Sequence, residues 1–147
     1  MRKIFFDLEG TLINSWSDVS LCNIQRVRNI IKEHGITEIS IFSFAIDNEN
    51  DVRIFEKDGF KNFIERTYEI KIVEYPTTKE IMSVCLEYSG NLFDLFEFKS
   101  VWGKTRAFQE YCTALYKDTA CTLIDDVVPN TTLYMHDKGL TISTIKI

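Results

Sequence analysis

Apolar positions along this chain fall into short runs of strand length, separated by stretches with a helical period. That alternation builds an α/β fold around a parallel sheet. The first strand is predicted over residues 3–8, where apolar residues run nearly unbroken, as they do when both faces of a strand are covered. After Gly10 and a polar stretch, a helix is predicted over about 20–34. It places Leu21, Ile24, Val27, Ile30 and Ile31 on one face, and Gly35 stops it. A second strand is predicted over 38–45, then helices over Glu49–Lys57 and Phe60–Tyr68, broken by Asp58 and Gly59. A third strand over 69–75 ends at Pro76, and Thr77 with Thr78 can cap a helix reaching about Tyr88, before a turn at 89–91. A helix over 104–116 and strands over 120–124 and 140–147 complete the pattern. The aromatic-rich segment 92–102 has no clean period and suits a strand, a short helix or a substrate-side loop equally.

Five strands separated by helices predict a Rossmann-like parallel sheet of about five strands with helices on both faces. One domain over 1–147 holds it, with at most a small insertion within 76–103. Such sheets bind ligands beyond the carboxyl ends of their strands. This sequence gathers polar residues there: Asp7 ends the first strand, Ser43 lies near the end of the second, and Asp125 with Asp126 ends the fourth. Lys104 opens the helix before that fourth strand. A single Asp after a strand is usually a turn former. Four polar strand or helix ends in this order suit phosphoryl chemistry. A carboxylate can attack phosphorus only when the repulsion between two anions is cancelled by a metal and a cation.

The run Asp7-Leu8-Glu9-Gly10-Thr11-Leu12 after an apolar strand, then Ser43, Lys104 and Leu123-Ile124-Asp125-Asp126, resembles the haloacid dehalogenase superfamily of phosphatases. The resemblance spans residues 7 to 126. Receiver domains also combine acids, Ser or Thr and Lys, but their acidic pair comes first; here it comes last. The resemblance implies a magnesium-dependent phosphomonoester hydrolase. Asp7 is the implied nucleophile, forming an aspartyl-phosphate while ligating Mg2+, and Glu9 stands in the general acid/base place with its backbone carbonyl on the metal. Gly10 and Thr11 shape the loop, and Thr11 belongs to the phosphate-binding set. Ser43 binds a phosphoryl oxygen, with Phe44 beside it, and Lys104 neutralises the phosphate and the nucleophile. Asp125 ligates the metal directly, and Asp126 does so through water or by holding Lys104.

Glu9 departs from the Asp usual at its place. It keeps a carboxylic acid but moves the proton by about one bond length, which matters where proton transfer needs hydrogen-bond reach. The enolase-phosphatase branch carries a similar Asp-x-Glu-Gly-Thr run and is active. Only a short flap and one helix fit between Thr11 and the second strand, so the resemblance implies a capless or minimally capped, open site. Open members act on phosphoryl groups displayed by large molecules, so a nucleotide, a nucleic-acid end or a phosphoprotein is the expected substrate class. The alternative is a catalytically weak binding or regulatory protein of the same fold; a mutase would need a cap to exclude water.

Trp16, Phe44 and Trp102 are candidates to flank the site, against core packing as the simpler reading. Phe93, Phe96 and Phe98 suit core or a dimer patch. His34 fits a helix end and His136 a surface loop, and neither is assigned a role. With 45% hydrophobic and 27% charged residues the composition is that of a globular domain. The net charge of −5, with no dense basic stretch, argues against non-specific nucleic-acid binding. No apolar run approaches the roughly 20 residues that span a bilayer, and the basic start leads into an acidic motif rather than a signal sequence. A cytoplasmic location is expected. Cys22, Cys85, Cys112 and Cys121 form no Cys-x-x-Cys pair and do not cluster with the histidines, so free thiols rather than a zinc site are expected.

Overall fold

A computed structural model describes residues 2–57, 60–90, 97–99, 103–135 and 140–147. Its strands are β1 (Arg2–Phe6), β2 (Glu38–Ile41), β3 (Lys71–Glu74), β4 (Ala120–Asp125), β5 (Thr131–Met135) and β6 (Leu140–Lys146). Its helices are α1 (Ile24–Glu33), α2 (Glu49–Lys57), α3 (Phe60–Tyr68), α4 (Thr78–Ser89) and α5 (Gly103–Leu115). The strands form one sheet in the order β3-β2-β1-β4-β6-β5. Five are parallel, and β5 runs antiparallel to β6 at the edge. The architecture is thus the expected Rossmann-like α/β sheet.

Successive side chains of a strand face opposite sides of the sheet, and the central strands use both. Ile4 and Phe6 of β1 and Ile124 of β4 join a buried layer with Val27 and Ile30 of α1, Phe55 of α2 and Ile64 of α3. Phe5, Cys121 and Leu123 face the other way, into a layer with Ile81 and Cys85 of α4 and Ala107, Phe108 and Cys112 of α5. Phe5 meets Phe108 edge-on at 5.2 Å between ring centroids, and Phe42 meets Phe108 likewise at 5.2 Å. Both faces are therefore covered, which explains the unbroken apolar runs of these strands.

Local chemistry sets the element ends. Thr77 caps α4, its hydroxyl accepting from the Glu80 N–H, and Gly90 closes that helix in the left-handed conformation. α1 begins at Ile24 rather than residue 20, because Leu21 forms an antiparallel bridge with Ile13 and closes a small flap. β3 starts at Lys71, since Glu69 has a positive φ of 54° that breaks the extended chain. β2 is shorter than the predicted 38–45 strand, and its register with β3 shifts between Ile39 and Ser40. β5 is an addition to the five expected strands; its Thr and Tyr residues after Pro129 and Asn130 carry β propensity but no clear alternation. At the opposite edge, the Glu65 carboxylate accepts the Ile72 N–H at 2.9 Å, blocking a backbone donor of an edge strand. Phe93, Phe96, Trp102 and His136 lie outside the described residues, as does most of the 92–102 segment. Among the described residues, no helix is long and apolar enough to cross a membrane.

Candidate active site

Backbone hydrogen bonds carry the ladder past the end of β1. The Phe42 N–H donates to the Phe6 carbonyl at 2.9 Å, and the Asp7 N–H donates to the Ile124 carbonyl at 3.0 Å. Ser43, Asp7 and Asp125 therefore stand side by side at the carboxyl ends of three adjacent strands. Lys104, the second residue of α5, reaches into this row. Its ammonium is ion-paired with Asp7 Oδ1 and lies 2.7 Å from Asp125 Oδ2. Asp7 is 5% exposed and Asp125 fully buried, so solvent does little to screen these charges.

Asp7, Asp125 and Asp126 each offer a carboxylate oxygen, and the three oxygens lie within 4.8 Å of one another. Burial is the main force pushing the Asp7 carboxyl up, from 3.8 to about 6; Lys104 opposes that rise and Asp125 adds to it. Asp126 is also pushed up, by burial first and then by hydrogen bonding and charge from Asp125. Among the described residues, one ammonium faces three carboxylates, which leaves the cluster short of positive charge when they are ionised. Asp125 Oδ2 has no aligned hydrogen-bond donor among the described residues, Lys104 being its ion partner only. Such a set of hard oxygen donors fits a divalent cation of the magnesium type.

The remaining predicted residues divide. Ser43 is buried at the strand end, and its Oγ accepts the Ala45 N–H at 3.1 Å, leaving its own O–H to donate. Thr11 is fully buried and its hydroxyl has no hydrogen-bond partner among the described residues. Phe44 is half-buried, with its ring 5.8 Å from the Lys104 ammonium and packed on Phe42 and Phe98. It acts as a wall behind the lysine. The Glu9 carboxylate is not one of the three in the cluster: its Oε2 accepts the Trp16 N–H of the flap at 2.7 Å. Trp16 itself packs edge-on against Phe60 at 6.3 Å, a core contact. Phe98 is fully buried in the second core layer, and His34 ends α1, its carbonyl accepting from Arg2.

Two features of the loop were not read from the sequence. Asn23 precedes α1 in the left-handed conformation, yet its side chain does not cap that helix. Its Nδ2 instead donates to the carbonyls of Gly10 at 2.9 Å and Thr11 at 3.2 Å, tying the loop after β1 to α1. An Asn before a helical run signals a cap, so its residue type was visible but its direction was not. Gly10 has a φ of +76°, and a Cβ there would lie 2.8 Å from Asp126 Cγ. Gly10→Ala should therefore cost about 1–3 kcal/mol through backbone strain and displacement of Asp126. A urea denaturation midpoint equal to that of the wild type would exclude this tight packing.

No protein-family model, curated protein or solved structure matches the chain.

Proposed function

We propose that the protein is a metal-dependent phosphomonoester hydrolase working through Asp7. The observation that carries this reading is Lys104 seated between two buried carboxylates at adjacent strand ends, with a third carboxylate beside them. Keeping mutually repelling carboxylates together lowers stability unless the cluster serves a charge that arrives with a ligand. Asp7, Asp125 and Asp126 would hold Mg2+, which supplies the positive charge that lets an anionic nucleophile approach an anionic phosphate. Asp7 attacks phosphorus and the bond to the leaving oxygen breaks, giving an aspartyl-phosphate. Lys104 and the Ser43 hydroxyl stabilise the phosphoryl oxygens. Glu9 gives a proton to the leaving oxygen and then takes one from the water that hydrolyses the intermediate. The substrate is a nucleotide, a nucleic-acid end or a phosphoprotein, presented to a site with no large cap among the described residues.

The test is release of inorganic phosphate from an aryl phosphate and from a panel of nucleotides, end-phosphorylated oligonucleotides and phosphopeptides, with and without Mg2+. A purified chain inactive on all of them argues for the second reading.

That second reading, a catalytically weak binding or regulatory protein, is favoured by one contact: the Glu9 carboxylate is engaged by the Trp16 N–H. Glu9→Gln separates the two. Gln still accepts from Trp16, so the flap keeps its anchor, but it cannot take a proton from water. Turnover should fall by about 10²–10⁴-fold. An aryl phosphate should then give a burst of aryl alcohol close to one equivalent per enzyme, followed by a slow phase. Unchanged steady-state turnover would leave Glu9 with the anchoring role alone.

A further inference from the structure

Asn23 directs its side-chain amide at two carbonyls of another segment, although the first turn of its own helix has N–H groups to satisfy. Its left-handed backbone, with a φ of 53°, also differs from the extended one that a capping residue takes. Helix capping therefore does not account for this residue. The carbonyls it serves belong to consecutive residues, Gly10 and Thr11, and both converge on Nδ2, at 2.9 and 3.2 Å. Two carbonyl oxygens brought together repel each other unless a donor sits between them, and an amide nitrogen with two hydrogens can serve both.

This hold reaches the carboxylate cluster through Gly10. The Gly10 backbone lies so close to Asp126 that a Cβ would collide with that carboxylate. A chain of contacts thus runs from the start of α1, through Asn23 and the Gly10 carbonyl, to one of the three acids of the cluster. Neighbouring contacts brace only the far end of the loop. Leu21 bridges Ile13, and the Cys22 N–H donates to the Leu12 carbonyl at 3.1 Å. The Asn23 bonds reach Gly10 itself.

We propose that Asn23 is a positioning residue for the metal: it fixes Gly10, Gly10 limits where the Asp126 carboxylate can lie, and the affinity for a divalent cation follows. This rests on the metal-dependent reading of the site. Magnesium-type cations demand closely placed oxygen ligands, so a small displacement of one carboxylate weakens binding. Loss of a group that orients a ligand typically lowers metal affinity by about 10–100-fold.

The experiment compares Mn2+ binding by the wild type and Asn23→Gly. Glycine adopts the left-handed backbone without steric cost, so α1 keeps its start while both side-chain bonds disappear. Binding to the metal-free full chain is read from the electron paramagnetic resonance of unbound Mn2+, at a temperature where circular dichroism shows each protein folded. The dissociation constant should rise by about 10–100-fold in Asn23→Gly. It should stay at the wild-type value in Ile30→Val, which loosens the packing of α1 about two helical turns away. An unchanged constant in Asn23→Gly overturns the proposal, and so does an equal weakening in Ile30→Val. A wild type that binds no Mn2+ overturns the metal reading and this proposal together, so the two failures are distinguishable. A second measurement needs no variant. Because the coupling is reciprocal, saturating Mg2+ should slow exchange of the Asn23 side-chain amide protons with water, read by nuclear magnetic resonance. Exchange that ignores Mg2+ in a chain that binds it overturns the proposal even where Asn23→Gly fails to fold.

Discussion

Asp7→Asn is expected to abolish phosphate release, by about 10⁴-fold or more, while making the metal-free protein more stable at pH 8. The two halves have one physical origin. Asp7 is nearly fully buried between a lysine and a second buried carboxylate, and its carboxyl is pushed up from 3.8 to about 6. A folded-state value raised above the unfolded one contributes stability that is fully present below pH 3.8 and lost as pH rises through about 6. Above that, holding the charged carboxylate in the fold costs about 1–3 kcal/mol. Asparagine has the same shape, still accepts from Lys104 and carries no charge. For a chain of this size the gain is a rise of roughly 3–9 °C in Tm at pH 8, shrinking to nothing near pH 4. It should shrink as well when saturating Mg2+ is added to both proteins, because the ion offsets the same charge in the wild type. Thermal melts at the two pH values, run with EDTA and with Mg2+, check the stability half; the aryl phosphate assay checks the other. An Asp7→Asn variant no more stable than wild type at pH 8 would mean that Asp7 is not held under electrostatic tension.

That tension was not legible in the sequence, although its participants were. Asp7, Glu9 and Gly10 sit in one short run, and Asp125 with Asp126 follows an apolar strand, so residue order and strand ends were enough to place the acids on one sheet edge. Which acid is most deeply buried depends on how α5 and the strands close over them, and periodicity carries no such information. The same limit explains Glu9. It lies two residues after Asp7 in the run, but its carboxylate is taken by the N–H of Trp16, seven residues on, because of the path the flap follows. Asn23 shows the converse: a residue of cap-forming type whose side chain turns back to the loop. Helix boundaries were legible wherever a Thr or Gly cap decided them, as in α4. They were not where a distant pairing won, as when the Leu21 bridge to Ile13 removed the first turn predicted for α1.

Lys104→Met should be the most damaging single change to the fold of the site. Methionine replaces the stem of the lysine but leaves Asp7 and Asp125 buried with no cation between them, and Asp126 adjacent. Removing one partner from a buried ion pair typically costs about 3–5 kcal/mol, because the orphaned charge cannot regain its hydration. Here two carboxylates are orphaned at once, and part of the cost is escaped by protonation. Loss of the ammonium raises the folded-state Asp7 value beyond its present value of about 6. The contribution of that carboxyl is then intact below pH 3.8 and lost as pH rises through the new, higher value. The gap to wild type should therefore be small near pH 4 and largest at pH 8. Urea denaturation at both values measures it. Adding Asp7→Asn to Lys104→Met should return stability at pH 8, since one of the two unpaired charges disappears, so the double variant should be less impaired than the lysine variant alone. Turnover should fall by about 10²–10³-fold in Lys104→Met, the usual cost of losing one stabiliser of a developing charge. If instead Lys104→Met melts like wild type at pH 8, the ammonium is not neutralising buried carboxylates, and the electrostatic basis for placing the nucleophile at Asp7 falls with it.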